Sequence, residues 1–289
     1  MLKKTLIKCF LLIGALFISD LAYGQFLFGP KIGVSYYTTQ YKSDEYLGDP
    51  NPSFERIKPG FDLGYQIGGI MTYQVKDNFA LHTELLYTKS GKKLVGGKNN
   101  PGETEGYFRH KASYHYLEVP FLFRKSYDNA KKTYKFYWNV GGNFKYWLGG
   151  KGKIRSAEFM NDHGIAEYDE ISYKLKFGYA EEQEDNVIRL AEPNRVQLGL
   201  DFGVGFLLNM PHPKHMLMLD LKYQYGHSWF GNDHGIDVGL FEYYEDFRAS
   251  NHTLTFSVGY ILNQDRGEHK KGKSTQDKLR KKAKPKRRR

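Results

Sequence analysis

Apolar and polar residues alternate with a period of two along most of the chain, as expected of strands with one apolar and one polar face. In one stretch Val196, Leu198, Leu200, Phe202, Val204, Phe206 and Leu208 alternate with residues that are mostly glycine or polar. Leu217, Leu219, Leu221, Tyr223 and Tyr225 repeat the pattern against Met216, Met218, Asp220, Lys222 and Gln224. The same two-faced pattern occurs in Phe28 to Tyr36, Phe61 to Val75, Phe79 to Lys89, Tyr114 to Arg124, Tyr134 to Leu148 and Leu254 to Leu262, so eight strands are predicted.

The connections after the second, fourth and sixth strands are short: Lys76 to Asn78, Asp128 to Lys132, and Met210 to Pro213. Those after the first, third, fifth and seventh are long and polar, the longest running from about Gly149 to Asn194. Every long connection therefore falls at one end. This predicts an all-β fold, an eight-stranded antiparallel up-and-down transmembrane β-barrel with short periplasmic turns, long extracellular loops and both termini in the periplasm. A soluble lipocalin-like barrel is the competing architecture. The glycine-rich polar face suits a narrow lumen better than a solvated surface. Tyr36, Tyr73, Tyr87, Tyr134, Tyr146, Trp147 and Tyr225, near strand ends, suit two interfacial girdles. Pro120, in mid-strand, removes a ladder donor and predicts a bulge or local break, and Pro30 raises the same problem near a strand start.

The N-terminus adds a location. Lys3, Lys4 and Lys8 precede the apolar run Phe10 to Ile18, and Ala22-Tyr23-Gly24 forms a small-x-small cleavage site, so residues 1–24 read as a cleavable signal peptide for export. The single cysteine, Cys9, leaves with that segment, and Gln25 stands where a lipoprotein would need cysteine. Charge separates the rest. Of the formal net charge of +11, residues 1–24 carry +2 and residues 265–289 carry +10, leaving −1 for the barrel domain at 25–264. The tail, with Lys281, Lys282, Lys284, Lys286, Arg287, Arg288 and Arg289, reads as a disordered basic periplasmic extension. Export argues against a nucleic-acid partner. The charge suits anionic lipid, cell-wall polymer or an acidic periplasmic protein, while a solvated extension with no partner is the plainer alternative.

The run Tyr116-Leu117-Glu118-Val119-Pro120-Phe121-Leu122-Phe123-Arg124 resembles the mid-barrel signature of the PorT-like outer-membrane β-barrel family of Gram-negative bacteria. The glycine-rich segment Gly60-Phe61-Asp62-Leu63-Gly64, the strand containing Gly33 and the segment Phe256-Ser257-Val258-Gly259-Tyr260 are similar to that family too. The resemblance implies an outer-membrane barrel, in a family where a few relatives serve type IX secretion and gliding. The long fifth connection and the tail lie outside the family pattern.

Strand parity assigns ten charged residues to the lumen: Lys31, Asp62, Glu84, Glu118, Arg124, Lys135, Lys145, Asp201, Asp220 and Lys222. Five cations match five anions. Unpaired buried charge is costly, so the expected result is an ion-pair plug without an open channel. A gated pore or proton path is the functional alternative. The repeat Asn-Asp-His-Gly-Ile at 161–165 and 232–236 makes Asp162, His163, Asp233 and His234 candidate metal ligands, against a plainer reading as two turns closed by glycine. No HExxH, Gly-x-Ser-x-Gly or P-loop is present, and neither a catalytic set nor a cofactor site is predicted. The sequence therefore favours a structural or interaction protein of the cell envelope over a small-solute porin or a membrane enzyme with a rim active site.

Overall fold

The computed structural model describes residues 25–42, 58–96, 108–131, 133–156, 170–178, 186–190, 192–211, 215–231, 236–237, 244–245 and 247–263. Eight long strands form the wall: β1 Gln25–Tyr41, β2 Asp62–Lys76, β3 Phe79–Gly96, β4 Phe108–Asp128, β5 Tyr134–Ser156, β6 Val196–Asn209, β7 His215–Gly226 and β8 Ala249–Asn263. Each pairs antiparallel with its neighbours in chain order, and β1 pairs with β8, with Lys31 opposite Gly259 and Tyr41 opposite Ala249. The ring is closed, so no edge along the spanning part leaves backbone groups unpaired in lipid.

Alternation places apolar side chains on the outside. Leu63 is 62% exposed and Phe121 is 63% exposed, and Ile32, Ile67, Leu85, Leu198, Phe202 and Phe256 continue the band around the ring. A water-soluble barrel would bury this face. Several glycines on the inner face make room for large side chains across the ladder. Gly205 lies opposite Tyr137, and a Cβ there would overlap the Tyr137 ring and hydroxyl.

Both prolines interrupt the ladder without shifting it. The β3–β4 pairing runs from Thr83–Phe121 to Leu86–Glu118 in unchanged register, and Thr83 Oγ1 donates to the Pro120 carbonyl at 2.9 Å. The β1–β8 pairing likewise resumes in register beyond Pro30. Of the two expected outcomes at Pro120, the structure has the local break. The bulge in this part of the wall is in β5, where Tyr116 pairs with Trp147 and His115 with Gly149, leaving Leu148 as an extra residue. Gly149 takes φ +147°, a backbone state that side chains rarely tolerate.

The strands run further at the long-loop end than alternation alone predicts. β3 extends to Gly96, β4 begins at Phe108, and β5 continues to Ser156. The connection after β5 is not simply a loop. Its strand Ile171–Phe177 pairs with β5 over Gly150 to Ile154, and Val187–Leu190 joins it in parallel. The wall thus rises beyond the apolar band.

Trp147 departs from the girdle expectation. It is fully buried inside the ring, packed on Tyr114, Tyr116, Phe177 and Phe230, whereas Trp138 is 41% exposed on the outer face. Acyl-chain-brominated lipid should therefore quench tryptophan fluorescence mainly through Trp138. In reconstituted protein, Trp138→Phe should remove most of the quenching and Trp147→Phe little of it. The reverse order would contradict this placement.

Candidate functional site

The lumen contains three tiers. At the short-turn end, Leu27, Ile70, Tyr137, Leu207, Met218 and Ile261 form an apolar floor. At the long-loop end lies a larger apolar cap that includes Leu94, Phe108, Tyr114, Trp147, Leu190 and Phe247. Charged residues fill the space between.

Two lysines organise this middle tier. Lys31 Nζ on β1 lies 2.5 Å from Glu84 Oε1 and 3.1 Å from Asp220 Oδ2. Lys222 Nζ on β7 lies 3.1 Å from Glu84 Oε2, 3.2 Å from Asp201 Oδ2 and 3.8 Å from Glu118 Oε1. Lys145 approaches Glu118 at 3.8 Å from the other side. Neutral donors complete the carboxylates. Asn143 and Gln224 each donate to both Glu118 and Asp201, at 2.7–3.0 Å, and Tyr137 donates to Asp220 at 2.8 Å. Carboxylates held by several charge-assisted bonds offset much of their desolvation, which one pair alone would not.

Eight of the ten predicted lumen residues are inside, but only seven share the network. Lys31, Glu84, Glu118, Lys145, Asp201, Asp220 and Lys222 are connected by ion pairs. Arg124 is buried beside them with its guanidinium 4.1 Å from the Tyr137 ring centroid. Asp62 sits nearer the long-loop end, bound to Lys111 at 2.7 Å and to the Tyr37 hydroxyl at 3.1 Å. Lys135 is half-buried near the short-turn end, 3.4 Å from Asp128. Parity places these two in the plug, yet they stand apart from it, because strand parity gives a face and not a height.

His82 joins the network without having been predicted. Its Nε2 lies 2.9 Å from Glu84 Oε1 and its Nδ1 2.7 Å from Thr72 Oγ1, which fits a proton on Nε2 and a threonine hydroxyl donating to Nδ1. His110 and Lys92 are also buried, higher in the cap. Burial, with the Lys92 charge nearby, holds the His110 imidazole well below its usual range, and its Nε2 lies 2.6 Å from the Tyr173 hydroxyl. Continuing the β3 parity beyond Lys89 points to Lys92.

Among the described residues no group of three or more histidine, cysteine and carboxylate side chains is placed to hold a metal ion. The candidate ligands Asp162, His163, Asp233 and His234, and the tail from Lys281 to Arg289, lie outside the described residues.

An antiparallel ring of eight strands, apolar toward lipid and filled with paired charge, defines an outer-membrane β-barrel. The chain belongs to the outer membrane protein beta-barrel domain family, whose pattern matches residues 19–228. Among solved structures, the Pseudomonas aeruginosa outer membrane protein OprG is 12% identical, covers 83% of this chain and 95% of its own, and has a TM-score of 0.42. Ail, the attachment invasion locus protein of Yersinia pestis, is 13% identical over 82% of this chain and 99% of its own, with a TM-score of 0.31. The Escherichia coli outer membrane protein W is 12% identical over 80% and 96%, with a TM-score of 0.32. These similarities concern the fold alone. No curated protein matches the chain.

Proposed function

We propose that the protein is a sealed, non-enzymatic barrel that serves the cell envelope as a structural and interaction element. The observation that carries this reading is the three-tier lumen filling, whose central lysines and carboxylates are each at most 2% exposed: Lys31, Glu84, Glu118, Asp201, Asp220 and Lys222. A permeating solute would have to part these ion pairs and displace an aromatic cap. Breaking even one buried pair costs several kcal/mol, about 3–5, which disfavours a standing pore. In this reading the long-loop end faces outward, both termini are periplasmic, and residues 265–289 reach an anionic partner in the periplasm. The likeness of Tyr116 to Arg124 to the PorT-like signature favours an accessory role in a secretion complex of the type IX kind.

The test is electrical. Purified full-length protein inserted in a planar bilayer should show no steady conductance across the usual voltage range. Reproducible ohmic steps, lost on changing Lys222, would replace this reading with that of a small-solute channel.

A further inference from the structure

Charge is matched inside the barrel and mismatched outside it. Where β4 and β5 rise past the apolar band, their outward positions carry like charges directly opposite one another: Arg109 faces Arg155, and Lys111 faces Lys153. Lys93 of β3 faces Lys111 on its other side, and Lys151 faces Lys174 of the adjoining strand Ile171–Phe177. Like charges directly opposite in a ladder are destabilising. Two ion pairs relieve part of this, the part-buried Lys111 with Asp62 and the exposed Lys153 with Glu170, both at 2.7 Å. Among the described residues neither Lys151 nor Lys174 has a carboxylate partner, and both border a groove of about 700 Å³ with Lys176.

The height of this basic wall selects its partner. Leu148 is the last apolar residue on the outer face of β5, and Lys151 follows three residues later. At about 3.3 Å per residue and a strand tilt of about 40°, Lys151 stands roughly 8 Å above the apolar band. The polar layer on each side of a bilayer is about 5–8 Å deep, so this rung lies at the level of lipid phosphates. Arg109, eight residues beyond Leu117, stands roughly 20 Å above the band by the same reckoning, within reach of a large anionic headgroup.

We propose that the outer face formed by β4, β5 and Ile171–Phe177 binds the phosphate groups of an anionic lipid, with Lys151 and Lys174 as the primary contacts. The lipid's negative charge supplies what the ladder lacks, and its acyl chains continue along the apolar wall below. Lysine suits the task because its long stem lies on apolar surface while the ammonium reaches the phosphate.

The experiment uses full-length protein in phosphatidylcholine nanodiscs with and without lipid A, a diphosphorylated glucosamine lipid. Lipids retained after mild detergent treatment are counted by native mass spectrometry. The wild type should retain lipid A several-fold over its share of the disc. The double variant Lys151→Gln/Lys174→Gln should lose that preference while keeping its heat-modifiable gel mobility. Wild-type preference should also weaken at about 1 M salt, where screening shortens to about 3 Å. Equal retention by variant and wild type would overturn the proposal. So would a stability change in the variant that is the same in both kinds of disc, since the chain's own carboxylates would then be the partners. Loss of heparin-agarose binding in the variant, with no lipid A preference in the wild type, would assign the wall to a soluble sulfated polysaccharide instead.

Discussion

Replacing Lys222 by methionine should cost the folded barrel about 3–5 kcal/mol, because it leaves buried carboxylates without their shared counter-charge. Lys222 touches Glu84, Asp201 and Glu118, and among described cations it is the one within ion-pair distance of Asp201. Methionine fills a similar volume, so the loss is electrostatic and not a cavity. Urea-induced unfolding in lipid vesicles, followed by heat-modifiable gel mobility, measures it. Adding Asp201→Asn should recover part of the loss, since it removes one uncompensated charge while the amide oxygen still accepts one of the two hydrogen bonds that Asn143 and Gln224 donate to Asp201. A single-variant cost below about 1 kcal/mol would sink the claim that these charges are dry and mutually dependent.

Trp147→Ala should be comparably damaging, about 3–5 kcal/mol, for a different reason. The indole is the centre of the loop-end cap, with ring centroids of Tyr114 at 4.8 Å, Phe177 at 5.0 Å and Phe230 at 5.7 Å. Its Nε1 donates to the Gly149 carbonyl at 3.1 Å, next to the bulge. Removing it opens a void among side chains drawn from β4, β5 and two connections. The same urea titration reads the effect, and Trp147→Phe should retain most of the stability. If alanine is tolerated as well as phenylalanine, the cap is not a packed core.

The eight strands, their order and the outward apolar face were legible because alternation has the same period wherever a strand has two different surroundings. The lumen charges were legible for the same reason, down to Lys31, Glu84 and Lys222. Height along the strand was not. Lys135 and Asp62 share the inward parity of the network, yet lie toward opposite ends of the barrel and bind local partners. Trp147 shows a further limit, since an aromatic near the end of an alternating run reads as an interfacial residue when the strand is assumed to stop there. The assumption fails because alternation breaks at Leu148 for a bulge, and the strand then continues to Ser156. His82 was not legible for a chemical reason, since a neutral imidazole adds nothing to a count of formal charge.

The bulge also separates two design problems that share one strand. Below it, odd-numbered residues of β5 such as Asn143, Lys145 and Trp147 point inward, whereas above it the even-numbered Gly152 and Ile154 do so. An uninterrupted strand would turn Lys151, Lys153 and Arg155 into the apolar cap and Ile154 toward water. With the extra residue in place, the membrane segment and its outer extension are written in opposite phase. Either can then change its sequence without imposing a pattern on the other, which leaves the upper wall free to vary without disturbing the membrane segment beneath it.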